Sequence, residues 1–135
     1  FHPMFFGCDG MDGILRVKNF DQSLAEGLML LTPFTVDEAG SQDFVTAYEE
    51  AYGIEPLQFG AGAYDAIYAI KEAAEKAGVT PDMEVSDMCE AMKTAMTEIT
   101  IDGLTGEGMT WNANGEPEKA PKAAKIVSGV YEMMD

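Results

Sequence analysis

Carboxylates are the most abundant groups in this sequence that could take part in chemistry, because Asp and Glu together number 24 among 135 residues. One acidic cluster, Asp9-Gly-Met-Asp12, follows an apolar segment and is flanked by glycines. Such a cluster could bind calcium, but it lacks the alternating ligands and the bidentate Glu of an EF-hand loop. On the residues alone, we interpret it as a solvated turn.

Other candidates for catalysis or for metal and cofactor binding are sparse. His2 is the sole histidine, which argues against a Ser-His-Asp or Cys-His site. Cys8 and Cys89 lie too far apart in sequence to form a zinc motif, and we expect two free, partly buried thiols. The segment Gly103-Leu-Thr-Gly106 resembles half of a phosphate-binding loop but has no following Lys. The sequence therefore predicts no catalytic residue, no metal and no cofactor.

The charge balance excludes several classes of partner. Eight basic residues against 24 acidic ones give a formal net charge of −16, which argues against nucleic acid and against an anionic membrane surface. An apolar content of 47% argues against a disordered tail. The longest apolar stretch, Phe59–Ile70, is too short to span a bilayer and contains Asp65. No secretory leader pattern follows Phe1, so we expect a processed chain or a piece of a longer one.

Apolar spacing and turn residues predict the elements that must position these side chains. In chain order they are strands at 3–7 and 27–33, with a short helix at 14–19 between them; helices at 41–52, 60–77 and 83–98; and strands at 108–112 and 126–133. Thr35 and Glu38 fit a capping box, but Gly40 interrupts the pattern and moves the predicted helix start to Ser41. This order does not alternate as complete βαβ units do.

Three features of burial follow from the same pattern. The helix at 60–77 is apolar around much of its surface, so we expect it to be largely buried. The methionines at 88, 92 and 96 recur at helical spacing and are predicted to pack in a core rather than to bind a cofactor. The Lys-rich segment 116–125 is predicted to be exposed, after a tight turn at Asn114-Gly115.

Three stretches occur in an order that carries a family resemblance. They are Phe6-Gly-Cys-Asp-Gly10 after a buried strand; Glu26-Gly-Leu-Met, Pro33, Phe44, Tyr48, Tyr52-Gly-Ile-Glu-Pro56, Phe59 and Ala63-Tyr-Asp-Ala66; and Gly103-Leu-Thr-Gly-Glu-Gly-Met-Thr-Trp111 with Asn114-Gly115. In this order and spacing, essentially the whole chain resembles the C-terminal part of the branched-chain amino-acid-binding protein family. These proteins are the type I extracytoplasmic substrate-binding components of ABC transporters.

The resemblance implies an α/β fold of the periplasmic-binding-protein type I, present here incompletely. Family members have two lobes, each with helices on a mainly parallel sheet, joined by three crossing segments that let the lobes close on a small ligand. On this model residues 1–31 belong to the C-terminal lobe, residues 32–125 complete the N-terminal lobe, and residues 126–135 return to the C-terminal lobe. The odd element order is then explained, because the chain supplies parts of two sheets.

Two ligand contacts are carried over by position. The family has an acidic residue in a Gly-x-acid-Gly turn that binds the ammonium of an amino acid, and Asp9 matches it within Gly7–Gly10. Asp is shorter than the Glu of well-known amino-acid binders. Phe59 matches an aromatic residue that packs on the ligand side chain. On the residues alone, Asp9 could instead bond its own backbone, and Phe59 could simply pack in a core.

The resemblance implies a non-catalytic fragment of an extracytoplasmic solute-binding protein, periplasmic or lipid-anchored. It would capture a branched-chain-like amino acid or similar small solute for an ABC permease. A sensory or receptor domain of the same fold is the alternative, and an unrelated small enzyme or an α+β interaction module is a third. Because unpaired strand edges and apolar faces recruit partners, we expect association with the missing N-terminal part or a self-associating, element-swapped homo-oligomer.

Overall fold

The computed structural model describes residues 3–134, so the prediction made from His2 lies outside the described residues. The strands are β1 (Phe6–Gly7), β2 (Met29–Leu31), β3 (Ile101–Gly103), β4 (Gly106–Trp111), β5 (Pro117–Glu118), β6 (Ala123–Val127) and β7 (Val130–Met134). The α-helices are α1 (Gln42–Tyr52), α2 (Gln58–Ala77) and α3 (Val85–Met96). Short 3-10 helices lie at Asp9–Met11, Ile14–Arg16, Gln22–Ala25 and Ala39–Ser41.

Backbone proximity divides the described chain into two units. The first unit contains the described residues through Ala61 together with those from Pro121 onward, and the second contains Gly62–Ala120. Helix α2 begins in the first unit and continues into the second. The division differs from the lobe boundaries implied by the resemblance, which concern a complete two-lobed protein and stay a prediction.

The first unit is built on a four-stranded sheet in the order β1-β2-β6-β7. Strand β1 is parallel to β2, whereas β2–β6 and β6–β7 are antiparallel. Leu30 lies opposite Ala124, and both are fully buried with Ile126 on the face that packs against the preceding loops. The resemblance implied mainly parallel sheets; among the described residues only the β1–β2 pairing is parallel.

The predicted single strand at 126–133 is wrong, because the chain turns back within it. Ser128 and Gly129 both have positive φ, of 52° and 80°, and they connect β6 to β7 as a two-residue hairpin turn. Turns with positive φ at both central residues match the twist of antiparallel strands. The Ser-Gly dipeptide was the available signal, since glycine adopts this backbone conformation without steric cost.

Helix α1 follows the predicted start and end closely. The Thr35 amide donates to Glu38 Oε1 at 3.1 Å, which is one half of the capping box, and a 3-10 turn at Ala39–Ser41 leads into α1. At the other end Gly53 has φ of 71° and its amide donates to the Glu49 carbonyl at 2.8 Å. The end of α1 was predictable because its glycine cap directly follows the helix, whereas the N-cap residue Ser41 makes no side-chain capping hydrogen bond.

The second unit packs α3 and the later turns of α2 against a small antiparallel sheet, β3-β4-β5. Its core consists of small helical residues and apolar strand residues: Ala69, Ala73, Ala95, Ile99, Ile101 and Met109. Met92 and Met96 pack against this core as predicted, whereas Met88, the third methionine of the pattern, is not among the residues that pack against it. Strands β3 and β5 were not predicted, because each has three residues or fewer and shows no alternation.

The prediction that α2 is largely buried is wrong for the described chain. Ala61, Asp65, Ala69 and Ala73 form a narrow buried stripe at every fourth residue. The larger apolar side chains of α2, Phe59, Tyr64, Ile67, Tyr68 and Ile70, are exposed. The stripe and Ala77 pack inside the units, and each of the larger apolar side chains is at least 42% exposed.

The remaining strand and loop predictions hold with shifted bounds. The predicted strands at 3–7, 27–33 and 108–112 contain or overlap β1, β2 and β4, and the predicted helix at 14–19 is a 3-10 turn at Ile14–Arg16. Segment 116–125 is mostly exposed, apart from its last residues, where Ala124 is buried in β6. None of the described helices is both long enough and apolar enough to cross a bilayer.

Candidate ligand site

The acidic turn is held directly after β1 by close packing of its own backbone. Residues Asp9–Met11 form one turn of 3-10 helix, in which the Asp12 amide donates to the Asp9 carbonyl at 3.0 Å. The turn folds back so tightly that a β-carbon on Gly7 would overlap the Met11 side chain. A larger residue at position 7 would therefore force the flexible Met11 side chain to move.

The two carboxylates of this turn have different environments. Asp12 Oδ2 accepts a hydrogen bond from the Gln58 backbone amide at 2.9 Å, at the first residue of α2. A carboxylate at a helix N-terminus satisfies a free amide and interacts favourably with the helix dipole. Asp9 is exposed, and its carboxylate makes no hydrogen bond or ion pair with any described residue.

Gln58 joins the acidic turn to the helix that carries Phe59. Its side chain is buried, and its Nε2 donates to the Asp9 carbonyl at 2.6 Å. One residue thus contacts the turn through its backbone and its side chain. Sequence reasoning missed both Gln58 and the capping role of Asp12, because 46 residues separate the cap from the helix it caps.

Phe59 lies next to this junction with 61% of its surface exposed. It does not belong to either buried cluster of the described chain. The structure therefore brings the turn that contains Asp9 to the start of the helix that contains Phe59, and both side chains remain accessible. Their roles in ligand binding stay predictions.

A second tether joins the same two stretches of chain. Arg16 donates through Nη1 to the Glu55 carbonyl at 2.6 Å and through Nη2 to Glu55 Oε2 at 2.9 Å. Both side chains are substantially exposed, so the ion pair contributes little to stability by itself, about 0–1 kcal/mol. It adds geometric definition to the approach of residues 55–58 to the acidic turn.

A cavity of about 290 Å³ opens beside these tethers within the first unit. It is lined by segment 32–37 apart from Pro33, the loop 55–57, part of the β6–β7 hairpin, Asp12 of the acidic turn and residues that follow this turn. Neither Asp9 nor Phe59 lines it. Thr35 Oγ1 is buried there without a hydrogen-bond partner among the described residues.

Tyr131, on β7, closes one side of the cavity. Its hydroxyl accepts a hydrogen bond from the Gly13 amide at 3.1 Å. Burial raises the pKa of the Tyr131 hydroxyl above its ordinary value of 10, although the Gly13 hydrogen bond acts in the opposite direction. The contact fixes the segment after the acidic turn to the hairpin.

In the second unit, the Tyr-Asp-Ala motif performs a structural task. Asp65 is 6% exposed, and its carboxylate accepts hydrogen bonds from the Leu104 and Thr105 amides at 2.8 Å each and from Thr105 Oγ1 at 2.7 Å. These groups belong to the turn between β3 and β4, the segment that resembled half of a phosphate-binding loop. Its amides are directed at a carboxylate of the same chain.

The cysteines and acidic residues form no further site in the described chain. Cys8 and Cys89 are free, as expected, but both are exposed, so the expectation of partial burial is wrong. Among residues 3–134, no group of three or more His, Cys, Asp or Glu side chains is placed to hold a metal ion.

Sheet order, the helix pair and the junction at the acidic turn together define part of a type I periplasmic binding protein fold. The family model for periplasmic binding protein matches residues 11–129. The chain therefore belongs to the periplasmic binding protein family, whose members are extracytoplasmic. A comparison with curated protein sequences finds no match.

Solved structures show the same fold. A leucine binding protein, LivK, from Thermotoga maritima is 22% identical with a TM-score of 0.74, and the match covers 100% of this chain and 37% of that protein. LivJ from Streptococcus pneumoniae, in complex with isoleucine, is 22% identical with a TM-score of 0.73, covering 96% of this chain and 36% of LivJ. A solute binding protein from R. palustris, in complex with benzoate, is 18% identical with a TM-score of 0.68, covering 91% and 32%.

These matches show what share of a solute-binding protein this chain corresponds to. The chain spans about a third of the length of the structures it matches. The matched structures are of solute-binding proteins rather than enzymes. The activity and partners of the whole protein are accordingly a matter of proposal.

Proposed function

We propose that this chain is part of a non-catalytic, extracytoplasmic protein that captures an amino acid, branched-chain-like, or a similar small amine-bearing solute for uptake through an ABC permease. Family membership supports the general class. The leucine binding protein LivK and the LivJ complex with isoleucine support the kind of solute, since both share the fold of this chain. The proposal includes a periplasmic location or a lipid anchor at the cell surface.

The observation that carries the proposal is the unpaired carboxylate of Asp9. Asp12 in the same turn already accepts a hydrogen bond from α2, whereas Asp9 accepts none from the described chain. A carboxylate without a described partner offers a charge-assisted hydrogen bond to an ammonium group, and the exposed ring of Phe59 offers an apolar surface to a side chain. Asp9 and Phe59 would then contact opposite ends of one amino-acid ligand.

The proposed ion pair between Asp9 and a ligand ammonium group would be strong only where solvent is excluded. In open water an ion pair contributes little, but closure of a second surface over the ligand lowers the effective dielectric constant and strengthens the attraction. The proposed lobes, with residues 1–31 and 126–135 in one and residues 32–125 in the other, would provide that closure. Asp9 and Phe59 fall on different sides of this division.

The exposed apolar faces support a further part of the proposal, that the chain works with the remainder of a larger protein or with a second copy. Phe59, Ile67 and Ile70 on α2 and Phe5 and Phe6 at the first strand are all more than half exposed. Large exposed apolar side chains in both units indicate interaction surfaces. Gel filtration of the isolated chain as a well-folded monomer would contradict this part.

The binding proposal is tested with two probes that differ in one group. L-Leucine carries the ammonium, and 4-methylpentanoate is the same molecule without it. In the full-length protein, Asp9→Asn should weaken leucine binding about 10- to 100-fold, the equivalent of a hydrogen bond to a charged group of about 1.5–3 kcal/mol. Binding of 4-methylpentanoate should not weaken.

Asp43→Asn is the matched control, because Asp43 is an exposed acid of α1 in the same unit and its loss changes the net charge equally. Isothermal titration calorimetry gives both dissociation constants. Unchanged leucine affinity in Asp9→Asn would reject the role of Asp9. A wild-type protein that does not bind L-leucine would reject the proposed ligand class.

A further inference from the structure

Gln58 is the residue that relates the two proposed ligand contacts to each other. It is 5% exposed, and both of its hydrogen bonds cross to the acidic turn, one to the Asp9 carbonyl and one to Asp12 Oδ2. It also precedes Phe59 directly in α2. We propose that Gln58 is a positioning residue, which holds Asp9 and Phe59 at the separation that an amine-bearing ligand requires; the inference rests on the proposed function.

The geometry explains how a side chain that touches no ligand would act on one. The side chain of Asp9 extends from the backbone that carries this carbonyl, so a hydrogen bond of 2.6 Å to the carbonyl fixes the point from which the carboxylate projects. Asp9 has no other anchor for its carboxylate among the described residues. Orientation of the free carboxylate therefore depends on the peptide that Gln58 holds.

The chain offers a comparison within itself, because Arg16 and Glu55 join nearly the same stretches of chain without touching Asp9. That pair is exposed, whereas Gln58 is buried and bonds to the ligand-binding residue itself. If general tethering were sufficient, loss of either contact would have a similar effect. If orientation of Asp9 is what matters, only loss of the Gln58 amide donor changes ligand selectivity.

Gln58→Met tests this in the full-length protein, because methionine has nearly the same shape but no N–H donor. We expect leucine to bind about fivefold more weakly, which corresponds to one net hydrogen bond. Binding of 4-methylpentanoate should change less than twofold, so the selectivity for the amine falls. Gln58→His, which keeps a ring N–H donor at a similar reach, should recover most of the leucine affinity.

Two controls separate positioning from folding. Arg16→Gln removes the exposed tether, and Gln42→Met removes another glutamine whose Nε2 binds backbone carbonyls, those of Val36 and Glu38. Both should leave the ratio of the two dissociation constants unchanged. Equal weakening of both probes in Gln58→Met would show a structural role only and would overturn the inference.

A measurement on the wild-type protein keeps the inference testable if Gln58→Met does not fold. Coupling between sites is reciprocal, so a ligand that uses the orientation of Asp9 must strengthen the Gln58 contact by the same factor. Exchange of the Gln58 side-chain amide protons should slow about fivefold with saturating L-leucine, the same factor as the expected affinity loss. Equal exchange rates with and without L-leucine would overturn the inference.

These outcomes are distinguishable from failure of the proposed function. If Asp9→Asn loses leucine binding but Gln58→Met does not, Asp9 binds the ligand without help from Gln58, and only the positioning role fails. If the wild-type protein binds neither probe, the proposed function fails and the positioning role fails with it.

Discussion

Replacement of the buried Asp65 by alanine is expected to destabilise the second unit more than replacement of any of its exposed charged residues. The carboxylate accepts two backbone amides and one hydroxyl from the β3–β4 turn, at 2.7–2.8 Å. Its removal leaves the buried Thr105 amide and the partly buried Leu104 amide without an acceptor. Each buried unsatisfied group costs about 1–3 kcal/mol, and the two together give an expected loss of about 3 kcal/mol.

The fit between Asp65 and the turn makes a second substitution informative. A β-carbon on Gly103 would lie 2.6 Å from Asp65 Cγ, which is closer than carbon atoms approach in proteins. Gly103→Ala should therefore displace the carboxylate from its three donors and produce a loss of similar size. Asp65→Asn, which keeps one acceptor oxygen, should lose less, about 2 kcal/mol.

Trp111 provides the assay, since it is the only tryptophan in the sequence and packs against the core of the second unit. Urea unfolding followed by Trp111 fluorescence gives the free energy of unfolding of each variant. Asp102 is the matched control: its Oδ1 also accepts a backbone amide, that of Gly108 at 2.7 Å, but the bond is exposed. Asp102→Asn should cost about 0.5 kcal/mol. A loss in Asp65→Ala no larger than that of the control would refute the assignment of a buried structural carboxylate.

Two further substitutions test the first unit. Leu30→Ala, at a fully buried position of β2, should lower the free energy of unfolding by about 3 kcal/mol in denaturation followed by circular dichroism, whereas Leu24→Ala, at a position 72% exposed, should stay within about 0.5 kcal/mol of the wild type. Tyr131→Phe should remove part of the loss of stability at alkaline pH. The pKa of Tyr131 is raised in the folded state, so folding favours the neutral phenol. The stability that this provides is complete below pH 10 and is lost as the pH rises through the folded-state pKa. Thermal melts of both proteins between pH 8 and pH 11 measure the difference, and parallel pH profiles would contradict it.

Local patterns predicted the helices well and the sheets less well, for a physical reason. The starts and ends of α1, α2 and α3 lie within two residues of the predicted bounds, because caps and apolar periodicity act within a few turns of the chain. Strands are defined by partners that are distant in sequence. β1 has two residues and β5 has two, and each exists because a longer neighbour pairs with it.

The exposure of α2 shows that an apolar pattern can also predict more burial than the structure contains. Its sequence is apolar on most sides, which predicts burial, yet Ile67 and Ile70 are exposed and the buried apolar residues of α2 are the alanines at 61, 69 and 73. A periodic pattern predicts which surfaces a helix is able to bury. Among the described residues, the alanine stripe is the surface of α2 that has a packing partner. The chain covers 37% of the length of the leucine binding protein it matches, which agrees with the proposal that other surfaces find partners outside these residues.

Both the family resemblance and the structure were needed to define the candidate site. The resemblance selected Asp9 and Phe59 by position, but it assigned no role to Asp12 or Gln58. The structure distinguishes the two acids of the turn by what their carboxylates already accept: Asp12 is committed to the first amide of α2, and Asp9 accepts no described donor. A carboxylate that caps a helix would lose that hydrogen bond on turning to a ligand, whereas a free one loses only water. Recognition of a cation is therefore energetically easier at Asp9, and Asp12 instead supplies the fixed helix start from which Gln58 reaches back to hold it.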